Sequence, residues 1–326
     1  MSNARRDRRL KIDGIVPIIP TPFTADERID WESQQDLIDF AAAIDVCAVC
    51  LPAYASEFYK LSEDERQGLV AAAVSRAAGR VPVVAQVNFA SAALARDAAV
   101  RGQECGAAAI CATVPRLFAL GEADLRRFFE TILNAIEIPL IIQDFNPGGP
   151  SISPGFVAAL HASHPHFEYV KLEEPMMGEK VRAILEQTGG GVGVLEGWGG
   201  MYIMELIPAG ISGTVPGLAL ADILAKIYRL CTAGERNEAF KIFQGVLPQI
   251  VYSLQNLELF HHAEKRLLQA RGILSTAVVR EASLGLTERD RQYVDFLNGG
   301  ILELLDSLGL PRNPGRTSPL PAATRF

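Results

Sequence analysis

The sequence predicts an α/β fold, a (β/α)8 barrel with a carboxy-terminal three-helix domain, and three observations lead there. Short apolar runs alternate eight times with longer amphipathic stretches between residues 14 and 233. Successive runs lie mostly about 25–35 residues apart, the length of a strand–helix–strand crossover. The runs are apolar without alternation, as parallel strands covered on both faces are. A doubly wound sheet is the runner-up, but no Gly-x-Gly-x-x-Gly follows the first run.

Taken in order, residues 14–20 form the first strand candidate and 31–44 the first helix. Residues 46–51 lead to a helix at 62–78, which opens on the capping box Ser62-Glu-Asp-Glu65. Strands at 81–87, 107–114 and 138–143 lead to helices at 91–104, 122–135 and 153–161. The last three units pair 168–172 with 177–187, 192–195 with 201–207, and 211–215 with 218–231. From Glu235 the strands stop, and 235–254, 257–271 and 288–308 read as helices broken at Gly272 and at Leu284-Gly285-Leu286. Four prolines among the last eighteen residues predict an extended end. The expected organisation is a basic amino-terminal arm (1–13), the barrel (14–233), a helical domain (234–308) and a proline-rich tail (309–326).

Composition narrows the function. Of 326 residues, 49% are hydrophobic and 21% charged, which contradicts the disordered signature. With 31 Lys+Arg against 38 Asp+Glu the formal net charge is −7, so no nucleic-acid partner is expected. No apolar run reaches the ~18 residues of a membrane span. The basic segment at 1–11 leads into no apolar stretch with a cleavage site, so no signal peptide is read. Five cysteines, scattered through apolar segments, suit a reducing compartment, and a cytoplasmic location is expected. Cys47-Ala-Val-Cys50 has the spacing of a redox or zinc pair, yet it lies in a strand-like run with no second pair, so core thiols are expected. His261-His262 has no third ligand nearby, and neither a metal nor any other cofactor is expected.

In such barrels catalytic groups sit where strands end and loops begin. Lys171 stands out, because a lysine within Tyr169-Val-Lys-Leu172 should point into a barrel filled by apolar layers. Burial there lowers an amine's pKa and frees a nucleophile for a carbonyl. The plainer alternative is a solvated strand-end charge paired with Glu173 or Glu174.

Several motifs then recur in a characteristic order: Gly14-Ile-Val-Pro-Ile-Ile-Pro-Thr-Pro-Phe23, Glu57 with Leu61-Ser-Glu-Asp-Glu-Arg66, the lysine strand, and Gly210-Ile-Ser-Gly213. Across residues 12–308 the chain resembles the dihydrodipicolinate synthase/N-acetylneuraminate lyase superfamily. The resemblance implies a homotetramer and a Schiff-base lysine, which falls on Lys171. There are departures. Ala53-Tyr-Ala-Ser-Glu57 replaces the usual Gly-Thr-Thr-Gly-Glu, and Gln143-Asp-Phe-Asn-Pro147 has no catalytic tyrosine. Pro115-Arg-Leu-Phe118 stands for a tyrosine-rich loop, and Gly148-Gly149-Pro150 for the synthases' arginine. Ser56-Glu57-x-x-x-Leu61, Ile142-Gln-Asp144, Lys171-Leu-Glu173 and Gly197-Trp198 are more similar to the 2-keto-3-deoxy-L-arabonate dehydratase type.

That branch implies dehydration of a 2-keto-3-deoxy sugar acid, a small-molecule 2-keto acid. Retro-aldol release of pyruvate, dihydrodipicolinate synthase activity and a catalytically silent ligand-binding barrel remain as alternatives. Dehydration needs an imine, loss of a C3 proton and departure of the C4 hydroxyl, work that carboxyl groups with different pKa values can share. Glu173, two residues beyond Lys171, faces the same side and is the candidate proton shuttle; the alternative is a salt bridge. Asp144 is the second candidate carboxyl, or else a cap for the loop before Pro147. Tyr54, Ser56 and nearby backbone are expected to hold the substrate carboxylate, with Gln143 also in the binding set. Glu57 is expected to anchor loop amides. Trp198 is read as an apolar wall, with Gly197 and Gly199 letting backbone approach the ligand. Ile211 and Ser212, in the glycine-flanked run 210–213, are expected to lie close against substrate.

Overall fold

The computed structural model describes residues 10–145 and 152–315. Eight parallel strands form one sheet in the order β1-β8-β7-β6-β5-β4-β3-β2. They are β1 (Gly14–Ile15), β2 (Val49–Leu51), β3 (Val83–Val87), β4 (Ala109–Thr113), β5 (Leu140–Phe145), β6 (Phe167–Glu173), β7 (Gly193–Glu196) and β8 (Gly213–Thr214). Bridges from Ile18 to Cys50 and to Gly217 join the two edges and close the barrel. The expected (β/α)8 architecture is therefore present.

The outer layer consists of α1 (Trp31–Ala43), α2 (Glu63–Ala77), α3 (Ala92–Glu104) and α4 (Glu122–Leu133), followed by α5 (Pro154–Ser163), α6 (Gly178–Gln187), α7 (Ile203–Leu206) and α8 (Ala221–Thr232). Starts are set locally: Asp30, Ser62, Ser91 and Ser153 each accept a backbone N–H of the first turn. The Ser62 box forms as the sequence predicts, with Glu65 reaching back to the Ser62 N–H at 2.9 Å.

Strand ends differ from expectation where proline and glycine intervene. β1 stops at Ile15 because Pro17 has no N–H for the ladder, although Ile18 and Ile19 still donate to Pro216 and Cys50 carbonyls at 2.8 and 3.0 Å. β8 is confined to Gly213–Thr214, where a Cβ on Gly213 would lie 2.0 Å from the Gly14 carbonyl oxygen. Only glycine lets these strands approach so closely.

Val16, Ile18, Cys50, Val84, Ile141 and Leu195 help fill the barrel interior. Its base is plugged by Leu10 and Ile12, tied to the sixth strand because the Tyr169 hydroxyl accepts from Ile12 N at 3.0 Å and donates to the Leu10 carbonyl at 3.4 Å. Residues 10–13 of the expected arm thus belong to the barrel; residues 1–9 lie outside the described part. Cys50 sits in the same interior and Cys47 is half-buried, both as free thiols.

Beyond the barrel run α9 (Arg236–Ser253), α10 (Leu257–Ala270) and α11 (Glu288–Ser307). α9 packs on α8, and α10 on the loop after β2. That second contact is ionic, with Lys265 meeting Glu57 at 2.5 Å and Lys60 meeting Glu258 at 2.7 Å, while Arg271 at the end of α10 meets Asp222 of α8 at 2.6 Å. Residues 309–315 do not extend away. Arg271 donates to the Arg312 carbonyl at 2.9 Å and Asn313 to the Gly272 carbonyl at 2.8 Å, while 316–326 lie outside the described residues.

Candidate active site

Alternation along β6 sends Tyr169, Lys171 and Glu173 to the barrel interior, at rising heights toward its carboxy-terminal mouth. Lys171 is 4% exposed, and its Nζ lies 2.9 Å from Glu173 Oε1. The register pairs Gln143 of β5 with Lys171. Gln143 donates its amide to the same Glu173 oxygen at 2.5 Å. The Gln143 carbonyl oxygen in turn accepts from Gln86 of β3 at 2.8 Å and from Thr113 of β4 at 3.1 Å. A polar ladder therefore crosses four strands and ends on the carboxylate beside the amine. Gln86 and Thr113 were missed from the sequence; the signal was a polar residue near the end of an otherwise apolar run.

The charge state of Lys171 differs from expectation. Burial is the largest influence and presses its pKa down, but the Glu173 carboxylate together with the buried Cys111 and Cys50 holds the amine above its ordinary value. The resting group is an ammonium in an ion pair, so a proton must leave before the nitrogen can attack a carbonyl.

Two structural groups shape this pair. Gly197 follows β7, and a Cβ there would lie 2.4 Å from Glu173 Cγ and 2.7 Å from Lys171 Cε. Glu196 is fully buried, accepting from Trp198 N and Gly200 N at 2.9 Å each and from the Thr214 hydroxyl. It pins the loop that presents Gly197 and Trp198. Burial pushes its pKa to about 7, against the hydrogen bonds that favour the anion.

The pocket above Lys171 has a volume of about 200 Å³. Its lining includes Tyr54, Gln143, Glu173, Gly197, Trp198, Gly199 and Val215 to Gly217. The helical domain supplies the outer rim through residues 254–257 and Phe260. Behind Gly217 stands Glu264 of α10, which accepts from Ala219 N at 2.7 Å and is pushed to about 7 by burial.

Four expected site residues lie elsewhere. Asp144 points away from the interior, because neighbours on a strand face opposite sides and Gln143 takes the inner one. It pairs with Arg116 and Lys180 and accepts from Ile152 N at 2.9 Å. The Ser56 hydroxyl is spent on the loop itself, donating to the Ile19 carbonyl at 2.6 Å and accepting from Ala53 N at 3.0 Å. Ile211 and Ser212 precede β8 and sit at its amino-terminal end, where Ile211 joins the outer core; Val215, Pro216 and Gly217 line the pocket instead. Glu57 holds one backbone amide, Arg280 N at 3.1 Å, but mainly two lysines, Lys265 and Lys60. The segment 148–150 lies outside the described residues.

Tyr54 enters the pocket from the loop after β2. Its ring is held between those of Phe58 and Phe145, with centroids 4.9 Å away on each side. Burial, then the negative Glu173, raise its pKa, and Lys171 partly offsets them.

Fold and pocket together define a barrel enzyme with its ionisable groups at the carboxy-terminal ends of the strands. The chain belongs to the dihydrodipicolinate synthetase family, which it matches over residues 11–297. It is 28% identical over 290 residues to an L-2-keto-3-deoxyarabonate dehydratase of Azospirillum brasilense, covering 87% of this chain and 89% of that one. It is 31% identical over 215 residues to a 4-hydroxy-tetrahydrodipicolinate synthase of Salinibacter ruber, covering 63% and 70%. Among solved structures it is similar to dihydrodipicolinate synthase from Rhodopseudomonas palustris, with a TM-score of 0.83, 25% identity, and coverage of 89% and 99%.

Proposed function

We propose that the protein is a Schiff-base lyase that removes water from a 2-keto-3-deoxy sugar acid. One observation carries the reading: a buried amine 2.9 Å from a carboxylate, at the floor of a pocket closed to bulk solvent below. Glu173 takes the proton from Lys171, the freed nitrogen attacks the C2 carbonyl, and Glu173 gives that proton to the carbinolamine hydroxyl, which departs as water to leave a protonated imine and a free carboxylate. That imine makes the C3 proton acidic, and Glu173 stands where it can receive it.

The substrate carboxylate is assigned to the backbone of Tyr54 and Ala55 beside the pocket, with Ser56 bracing that turn. The hydroxylated tail points outward, where Gln255 and Asn256 flank the mouth. No cofactor enters the scheme. We also propose a homotetramer, supported by Leu117 and Phe118, which stand 75% and 77% exposed on the loop before α4. Light scattering should give four chains per particle.

The test is direct. Pyruvate and borohydride should leave a reduced adduct on Lys171, and 2-keto-3-deoxy pentonate or hexonate should yield a dehydrated 2,5-dioxo acid. Pyruvate plus an aldehyde as products would make the protein an aldolase instead.

A further inference from the structure

The dehydration proposed above needs two proton movements, and the carboxyl expected to supply the second, Asp144, faces out of the barrel. The groups already in the pocket are heavily committed. Glu173 Oε1 meets both Lys171 and Gln143. Both ends of the Gln143 amide are engaged, one by Glu173 and the other by Gln86 and Thr113. Tyr54 carries the one side-chain hydroxyl among the described residues lining the pocket, and that hydroxyl has no hydrogen-bond partner among them. Yet the ring is not loose: Phe58 meets it edge-on and Phe145 at a tilt, each at 4.9 Å. A clamped phenol with an uncommitted O–H, in the electrostatic field of both Lys171 and Glu173, is built to donate to something in the pocket.

We propose that the Tyr54 hydroxyl is the acid that protonates the departing C4 hydroxyl, while Glu173 serves the amine and C3. This rests on the dehydratase reading. Once the imine has formed between Lys171 Nζ and C2, Glu173 removes the C3 proton and the C–H pair becomes the C2–C3 double bond of an enamine. The nitrogen lone pair then re-forms the C=N bond, the C2–C3 pair moves to C3–C4, and the C4–O bond breaks. The oxygen leaves with that bonding pair, takes the Tyr54 proton and departs as water. Tyr54 is left as phenolate and Glu173 as acid; the proton returns from one to the other through pocket water. A hydrogen then moves from C5 to C3, which turns the C3–C4 alkene and C5 hydroxyl into a C5 carbonyl, and hydrolysis of the imine releases the 2,5-dioxo acid and restores the lysine. No oxidant or reductant is consumed.

Tyr54→Phe keeps the ring contacts and removes only the donor. The variant should still form the borohydride-trapped pyruvate adduct at the wild-type rate. Its kcat on a 2-keto-3-deoxy pentonate should fall about 10²–10⁴-fold, with KM little changed. A substrate with fluoride at C4 leaves as an anion without an acid and should recover most of the lost rate in the variant. Unchanged kcat, a raised KM at constant kcat, or an equal loss with the fluoro substrate would each overturn the assignment. Failure of the dehydratase reading looks different, because it appears in the wild-type protein as absent trapping or as release of pyruvate and an aldehyde.

Discussion

Lys171 and Glu173 keep their separation because the residue facing them has no side chain. Gly197→Ala should push both groups from their places, since a Cβ would lie within 2.7 Å of each. Misplacement on the order of 1 Å costs roughly 10²-fold, so borohydride trapping should slow by about that factor while the protein stays folded. Glu173→Gln asks a different question. It removes the charge that holds the Lys171 ammonium, so the pH profile of trapping should shift downward. If the proposed dehydration holds, turnover should fall by roughly 10²–10⁴, because the C3 proton would lose its acceptor. Trapping at unchanged pH and full turnover would remove Glu173 from the mechanism. At this scale the lysine and its carboxylate were legible, since two-residue spacing on a strand fixes a common face. Asp144 was not, because sequence alone does not say which of two adjacent polar residues faces inward. The register of β5 on β6, pairing Gln143 with Lys171, decides it.

The contact between α10 and the loop after β2 rests on Lys265 and Glu57, whose side chains are 1% and 0% exposed. Lys265→Met leaves a buried carboxylate short of its closest cation. That should cost about 3–5 kcal/mol, measured by denaturant unfolding. The companion Lys265→Met/Glu57→Leu should recover much of the loss; if it does not, the pair is not what joins these elements. Helix starts were legible because caps are local, as Ser62 and Glu65 illustrate. The extent of β8 was not: it depends on how near Gly213 comes to Gly14, two residues some two hundred positions apart in the chain. For the same reason Ile211 and Ser212 were expected against substrate when the pocket is reached only at Val215.

Stability of the whole molecule should carry a pH signature from carboxyls sealed inside it. Glu196 and Glu264 are each raised by burial to about 7, against ~4.3 for an unfolded glutamate. Between those values the folded chain holds more protons than the unfolded one. The stability they contribute is therefore complete below the unfolded value and lost as pH rises through about 7. His261 acts oppositely: burial lowers it to about 3 from ~6.5, so its contribution is present above the unfolded value and fades as pH falls. Comparing Glu196→Gln/Glu264→Gln with wild type isolates the carboxyl part. The difference in Tm between variant and wild type should move in the variant's favour from pH 5 to pH 8, and a constant difference would contradict the burial argument.

The same body divides its labour between two units. Lys171, Glu173 and Gln143 stand on inner strands, whereas residues 254–257 reach the mouth from a separate set of helices. Heredity can therefore edit the two independently. A lineage exploring new ligands is free to rewrite four rim positions while the lysine, its carboxylate and the ladder beneath them are inherited intact. Laboratory libraries confined to that rim should yield altered substrate preference far more often than lost chemistry.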